Sequence, residues 1–147
     1  MILIGTVFGA FVSQFLYPIE MSMTLVANYD LEIADMDTGD PITSLDWGTF
    51  APDESKSSDQ YSLAYTGNVN PAYLTWSVTD FPAGWTIEVF RGPYNPDAYP
   101  STAWPEGNTV SVTPGATQCV AIVLTEVDGV AGQLETFTIT FESGDNV

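Results

Sequence analysis

Few residues in this chain have side chains that could carry out catalysis. Histidine is absent and Cys119 is the only cysteine, which excludes a Ser-His-Asp triad, a Cys-His pair and a Cys/His zinc site. Cys119 also lies in a mostly apolar run, 118–126, which predicts a central strand with a buried, unreactive thiol. No glycine-rich phosphate loop follows a predicted strand. The sequence therefore predicts a protein that is not an enzyme.

Asp35, Asp37 and Asp40 are the candidate metal ligands. They lie within six residues around Gly39, and Ca²⁺ takes about six to eight oxygen ligands in proteins. Their spacing lacks the order of an EF-hand loop and its distal Glu. An Asx-rich turn explains the same residues. Ca²⁺ binding is thus a hypothesis beside that simpler alternative, and no other cofactor is expected.

Tyr94, Tyr99 and Trp104 are surface aromatic candidates. They lie in a proline-rich stretch, 92–107, whose prolines exclude a regular ladder and predict a long surface loop. Exposed rings could stack on sugars, so surface glycans or other cells are candidate partners. The rings could equally cover the edge of the fold or contact a neighbouring subunit.

The charge of the chain restricts its partners. Lys56 and Arg91 are the only basic residues against 19 acidic ones, and the formal net charge is −17. Nucleic-acid binding needs a cationic surface, so it is not expected, and anionic lipid headgroups would repel the chain. A strongly acidic surface fits a protein that stays solvated.

Residues 1–17 carry no charge and Pro18 follows them. The segment lacks the basic n-region of a secretory signal. As a helix of about 17 residues it would span about 25 Å, less than the bilayer core. We therefore expect residues 1–18 to be an apolar assembly segment. A helical stripe with small residues beside it favours a helix, but its β-branched residues leave a donor strand open. The predicted assembly residues are Ile4, Gly5, Phe8, Gly9, Phe11, Val12 and Phe15.

The chain from residue 24 to 147 alternates apolar and polar residues between turn signals. The clearest example is 72–79, where Ala72, Leu74, Trp76 and Val78 share one face. A first strand is predicted from Leu25 to Ala34, with Tyr29 on its apolar face. About seven or eight strands fit this length and predict an all-β, immunoglobulin-like antiparallel sandwich. We expect the side chains of Trp47, Trp76 and Trp85 in or beside its core.

Residues 42–125 carry a series of turn motifs. They are Thr66-Gly67-Asn68, then Phe81-Pro82-Ala83-Gly84-Trp85, then Val112-Thr113-Pro114-Gly115. The series resembles NEW3-type immunoglobulin-like domains. It is also similar to archaeal proteins allied to TasA and camelysin, and the uncharged segment before a sandwich resembles type IV pilins and archaellins.

The resemblance implies a non-catalytic subunit of an extracellular, cell-surface filament or pilus. In the TasA-like group a terminal apolar segment fills the next subunit by donor-strand exchange, whereas a pilin packs its helices into a core. Either form implies a helical homopolymer whose partner is a second copy of the chain. The alternative is a membrane-anchored surface domain, which could bind carbohydrate.

Overall fold

The computed structural model of the chain describes residues 19–93, 95–128 and 134–144. Within these ranges the secondary structure consists of strands, so the all-β prediction is confirmed. The strands are β1 Ile19–Ala27, β2 Leu31–Asp35, β3 Ser44–Phe50, β4 Ser55–Ser57, β5 Tyr61–Tyr65, β6 Ala72–Thr79, β7 Trp85–Gly92, β8 Thr102–Ala103, β9 Val110–Val112, β10 Thr117–Glu126 and β11 Leu134–Gly144.

Two sheets pack face to face. Sheet A has the strand order β3-β1-β11-β6-β9, and sheet B has the order β2-β5-β10-β7-β8, with β4 also pairing with β10. One apolar cluster contains residues of both sheets. The ring of Phe50 on sheet A meets that of Trp85 on sheet B at 4.9 Å and 84°, an edge-to-face contact. The architecture is a β-sandwich.

The described strands outnumber the about seven or eight predicted because three elements are very short. β4, β8 and β9 have three, two and three residues, and β8 lies within 92–107, where the sequence predicted a long surface loop. β1 begins at Ile19, five residues before the predicted start of the domain at residue 24.

The sequence predicted one unbroken first strand from Leu25 to Ala34, and this prediction is wrong. β1 ends at Ala27 and β2 begins at Leu31, and the two strands belong to different sheets. Between them Tyr29 has a φ of 60° and is 78 % exposed. A left-handed φ is rare for a residue with a side chain, and it marks a turn at Tyr29. The alternation of Tyr29 with Leu31 in the sequence gave no sign of this turn.

The prediction of purely antiparallel sheets is also wrong at one place. β1 runs parallel to β11, with Glu20 opposite Leu134 and Ala27 opposite Phe141. On its other side β1 pairs antiparallel with β3. Parallel neighbours need a long connection, and here the rest of the described fold lies between them. A period-two pattern fixes which face of a strand is buried but not the direction of its neighbour.

The connectivity is not that of an immunoglobulin domain. The last two strands of that fold are neighbours in one sheet, whereas β10 and β11 lie in different sheets. Without β1, β2 and β4, the order is β3-β11-β6-β9 in sheet A and β5-β10-β7-β8 in sheet B. This is the winding of an eight-stranded jelly roll, into which β1 is inserted between the first and last strands.

The core confirms the predicted buried faces. Trp47, Trp76 and Trp85 are 9 %, 3 % and 6 % exposed, and all three belong to the apolar cluster. Ala72, Leu74 and Trp76 on β6 are buried as the alternation predicted. β10 is central in sheet B, as expected, and Cys119 on it is buried.

Candidate functional site

Asp35 forms the turn that the sequence offered as the alternative to a Ca²⁺ site. Its Oδ1 accepts the backbone N–H groups of Asp37 at 2.8 Å and Thr38 at 2.9 Å. These two hydrogen bonds lower the pKa of the Asp35 carboxyl below its ordinary value of 3.8, and the bond from Thr38 has the larger effect. Asp40 closes the same turn, since its backbone N–H bonds to the Thr38 hydroxyl oxygen. The carboxylate of Asp35 is therefore engaged by its own backbone.

The three acids do not assemble a metal site in the structure. Across residues 19–93, 95–128 and 134–144, no group of three or more Asp, Glu, Cys or His side chains comes close enough to hold an ion. Asp37 instead lies against a different part of the chain, in a cleft beside Tyr99.

The predicted surface aromatics have three different outcomes. Tyr94 lies outside the described residues. Tyr99 is 53 % exposed, as a surface role requires. Trp104 is only 2 % exposed, so its assignment to the surface is wrong.

Trp104 is buried because β8 brings the loop back against β7. Its backbone N–H donates to the Val89 carbonyl, and its indole Nε1–H donates to the Asn108 carbonyl at 2.9 Å. Its own carbonyl accepts the indole N–H of Trp76 at 2.7 Å, and its ring lies 6.0 Å from that of Phe141. Prolines on either side suggested an open loop, but Trp104 completes the core.

Two adjoining clefts lie beside the exposed Tyr99. The first, called the Tyr99 cleft, has a volume of about 240 Å³ and is lined by Asp37, Asp59, Asp97 and Tyr99 among others. The second, called the Trp47 cleft, has a volume of about 250 Å³ and is lined by Trp47, Lys56, Asp59 and Tyr61 among others. Asp59 lines both clefts, so they are neighbours on the surface.

Gln60 holds the wall of the Tyr99 cleft in place. Its Nε2 donates to the backbone carbonyls of Asn95 at 2.9 Å and Ala98 at 3.2 Å. Its Oε1 accepts the Cys119 thiol at 3.0 Å. Burial raises the pKa of that thiol above its ordinary value of 9.0, which agrees with an unreactive cysteine. The loop after β7 is thus tied through Gln60 to the outer face of β10.

Tyr61 and Lys56 define the electrostatics of the Trp47 cleft. Burial, followed by the charges of Asp59 and Asp35, raises the pKa of Tyr61 to about 12. The Lys56 ammonium donates to the carbonyls of Trp47 and Thr49 on β3. These bonds tie β4 to β3, and hence one sheet to the other.

Sequence reasoning missed Asp59, Gln60 and Asp97 as members of this region. Asp59 and Gln60 are adjacent, but Asp97 lies more than 30 residues further along the chain, and no motif relates it to them. Only the pairing of β10 with β5 and β7 brings their loops together. A composition-based search could find the acidic residues but not this grouping.

The predicted assembly residues, Ile4 to Phe15, lie outside the described residues. The structure does describe where their segment joins the fold. β1 follows directly and occupies the interior of sheet A between β3 and β11. Met21, Met23 and Leu25 on β1 are 0 %, 1 % and 3 % exposed, so the point of attachment is firmly packed.

Comparison with protein-family models and with curated proteins finds no match to this chain. From Ile19 onward, in the described ranges, no helix is long and apolar enough to cross a membrane. The described fold and the position at which residues 1–18 join it therefore carry the functional argument.

Proposed function

We propose that the protein is a non-catalytic structural subunit of an extracellular, cell-surface filament or pilus. It polymerises into a helical homopolymer through residues 1–18, which are buried in neighbouring copies. The observation that carries this proposal is the position of β1. The strand continues directly from the uncharged segment and is paired on both sides within sheet A. Burial of the segment in a second copy would therefore attach the whole sandwich to that copy.

The apolar character of the segment supplies the driving force. Burying about 17 such residues would remove more than about 1,000 Å² from water, a gross gain of about 25 kcal/mol at about 25 cal/mol per Å². Association and ordering costs reduce this gain. The surplus favours stable assembly even between subunits whose formal charge is −17.

The end of the sandwich at which residues 1–18 attach suits the growth of a filament. Ile19 begins β1 at the end of the parallel pair opposite to Gly144, the last residue of β11. The segment thus joins one end of an asymmetric body. A contact between that segment and a different surface of a second copy is heterologous, and heterologous contacts that do not close into rings produce filaments.

Residues 42–125 resemble NEW3-type and TasA-like domains, and the two-sheet architecture agrees with that resemblance. The strand connectivity differs from that of an immunoglobulin domain. It favours an archaeal source and leaves two forms of assembly, a core of helices as in pilins or donor-strand exchange. Solid-state NMR carbon shifts of Phe8, Phe11 and Phe15 in assembled material would distinguish helix from strand.

Deletion of residues 1–18 tests the proposal because it leaves β1 complete. We expect a folded protein that forms no filaments in electron micrographs under conditions in which the full chain does. Phe11→Asp in the full chain should also abolish assembly, since a buried unpaired charge is costly. Thr24→Asp is the matched control, because Thr24 is exposed on β1, and this variant should assemble. Filaments of the shortened chain would overturn the proposal.

The alternative function is a membrane-anchored surface domain. It would place the same uncharged segment in a bilayer, with the acidic sandwich outside. In that case the full chain would remain monomeric in detergent, insert into vesicles when the detergent is removed and form no filaments. Deletion of residues 1–18 would abolish vesicle association without changing the fold.

A further inference from the structure

A further cleft lies at the end of the sandwich opposite to Ile19, where β11 ends at Gly144. It has a volume of about 470 Å³ and is called the pole cleft. Its lining residues are Tyr29, Asp30, Tyr65, Val69, Ala72, Glu142, Ser143 and Gly144. We propose that the pole cleft receives residues 15–17 of a second copy. This contact rests on the proposed function, since it joins residues 1–18 of one copy to the next copy in the filament.

Two exposed apolar side chains line the pole cleft. Tyr29 is 78 % exposed and Val69 is 39 % exposed, and only four large apolar side chains in the described ranges are exposed in this way. The left-handed φ of Tyr29, 60°, is uncommon for a tyrosine and holds its ring in solvent. Exposed apolar groups that lie together indicate a contact surface, and an unfavourable backbone conformation is often kept for function.

Hydrogen bonds hold the walls of the pole cleft in place. The Tyr65 hydroxyl donates to the Val69 carbonyl at 3.2 Å and accepts the Val69 N–H at 3.0 Å. The backbone N–H and the hydroxyl of Thr66 both donate to the Asp30 carbonyl, at 2.8 Å and 3.1 Å. The turn that carries Tyr29 and the segment that carries Val69 are therefore both fixed to the end of β5. A surface formed in advance lowers the ordering cost of binding.

The pole cleft also includes backbone groups that lack a strand partner. β1 pairs with β11 as far as Ala27 opposite Phe141, whereas β6 pairs with β11 as far as Gly144 opposite Tyr73. Among the described strands, none covers residues 142–144 on the side that β1 covers earlier in β11. An uncovered edge can bond to the backbone of an added segment. The cleft thus offers a peptide both apolar surface and backbone hydrogen-bonding groups.

The side chains of Phe15, Leu16 and Tyr17 suit this cleft in size and charge. An apolar cavity of about 150 Å³ accepts one benzene ring, so a cleft of about 470 Å³ has room for about two or three such side chains. Asp30 and Glu142 line the cleft, and they would repel the acidic surface of a chain whose formal charge is −17. Residues 1–17 carry no charge and avoid that repulsion.

The length of the chain requires that the occupant come from a second copy. Phe15 precedes Ile19 by four residues, which reach at most about 14 Å. β1, from Ile19 to Ala27, spans about 26 Å, and the pole cleft lies beyond its far end. Residues 15–17 therefore do not reach the cleft of their own copy. They reach that of a copy whose pole cleft faces Ile19, and repetition of this contact adds subunits in a row.

Photo-crosslinking of the full chain tests the contact. A labelled chain with benzoylphenylalanine in place of Tyr29 is mixed with unlabelled parent chain, assembled and irradiated. Mass spectrometry should find peptides that join labelled position 29 to residues 1–18 of the unlabelled chain. The same crosslinker in place of Tyr99, which lines a different cleft, should give none. Crosslinks to residues 1–18 of the same copy alone, or to residues 145–147 alone, would overturn the proposed contact.

Tyr29→Asn measures the contribution of the exposed ring. Asparagine adopts a left-handed φ more readily than most residues, so the variant removes the ring without straining the turn. Its critical concentration for assembly should rise by about tenfold or more, as for an aromatic anchor at an interface. Tyr99→Asn is the matched control and should assemble as the parent does.

The outcomes separate the contact from the filament itself. If the full chain forms no filaments, the proposed function fails, and this contact fails with it. If filaments form but position 29 gives no crosslink between copies, or Tyr29→Asn assembles as readily as Tyr99→Asn, the contact alone is refuted.

Discussion

Replacement of Trp104 by alanine gives the strongest test of the fold, because the sequence predicted Trp104 at the surface and the structure places it in the core. The side chain is 2 % exposed and packs against Phe141. Its loss should cost about 3–5 kcal/mol, the range for a large aromatic removed from a core. The lost bond to the carbonyl of Asn108 adds about 1 kcal/mol at most, since Asn108 is exposed and water can replace the donor.

The assay is urea unfolding followed by far-ultraviolet circular dichroism. A domain of this kind has a total stability of roughly 5–15 kcal/mol, so Trp104→Ala should unfold at a much lower urea concentration. Trp104→Phe keeps most of the packing and should lose less. Tyr99→Ala is the matched control from the same loop, and since its side chain is half exposed it should change stability by less than about 0.5 kcal/mol. The placement of Trp104 would be refuted if its alanine variant were as stable as that of Tyr99.

Three further variants test other contacts. The folded chain should lose stability as the pH rises from 10.0 to about 12, because Tyr61 ionises at its ordinary pKa only in the unfolded chain. Urea unfolding across this range should show a smaller loss of stability for Tyr61→Phe. Gly67→Ala should destabilise by about 1–3 kcal/mol in the same assay, because a Cβ there would lie 2.5 Å from atoms of Asp30 and Tyr65. Lys56→Met should cost about 1–3 kcal/mol by removing the charged donor of two β3 carbonyls, and a fully stable variant would show that these bonds contribute little.

Local patterns predicted the strands whose two faces differ clearly. β6 alternates buried apolar residues with hydroxyl-bearing ones, and its expected face lies inward. β11 shows the same alternation in the structure. The apolar character of β10 on both faces was also predictable. Its inner residues, such as Ile122, belong to the core. Cys119 on the outer face is covered through Gln60 and the loop that follows β7.

Features that depend on distant parts of the chain were not predictable. Trp104 is buried because a two-residue strand pairs with β7, a signal too short to recognise. The parallel pairing of β1 with β11 joins segments more than 100 residues apart. Tyr29 kept the alternation of a strand while its backbone turned. In each case a tertiary contact overrode a local preference.

The grouping of residues at the two clefts was equally hidden. Asp37 and Tyr99 were both candidates in the sequence, but for different ligands, Ca²⁺ and sugar. The structure places them in one cleft with Asp59 and Asp97. Carboxylates were numerous enough that their positions carried no information until the loops were placed.

The acidity of the chain also has a structural use. Several carboxylates accept backbone N–H groups at turns and sheet edges, where no ladder partner is present. Asp46 accepts Gly48 beside the irregular part of β3, Glu54 accepts Ala51, and Glu126 accepts Asp53. Glu106 accepts Val78 beyond the end of β9, and so occupies part of the open edge of β6. Unpaired edge groups invite pairing with other chains. The Glu106 carboxylate therefore limits pairing of another chain with this edge, as the proposed assembly through residues 1–18 would require.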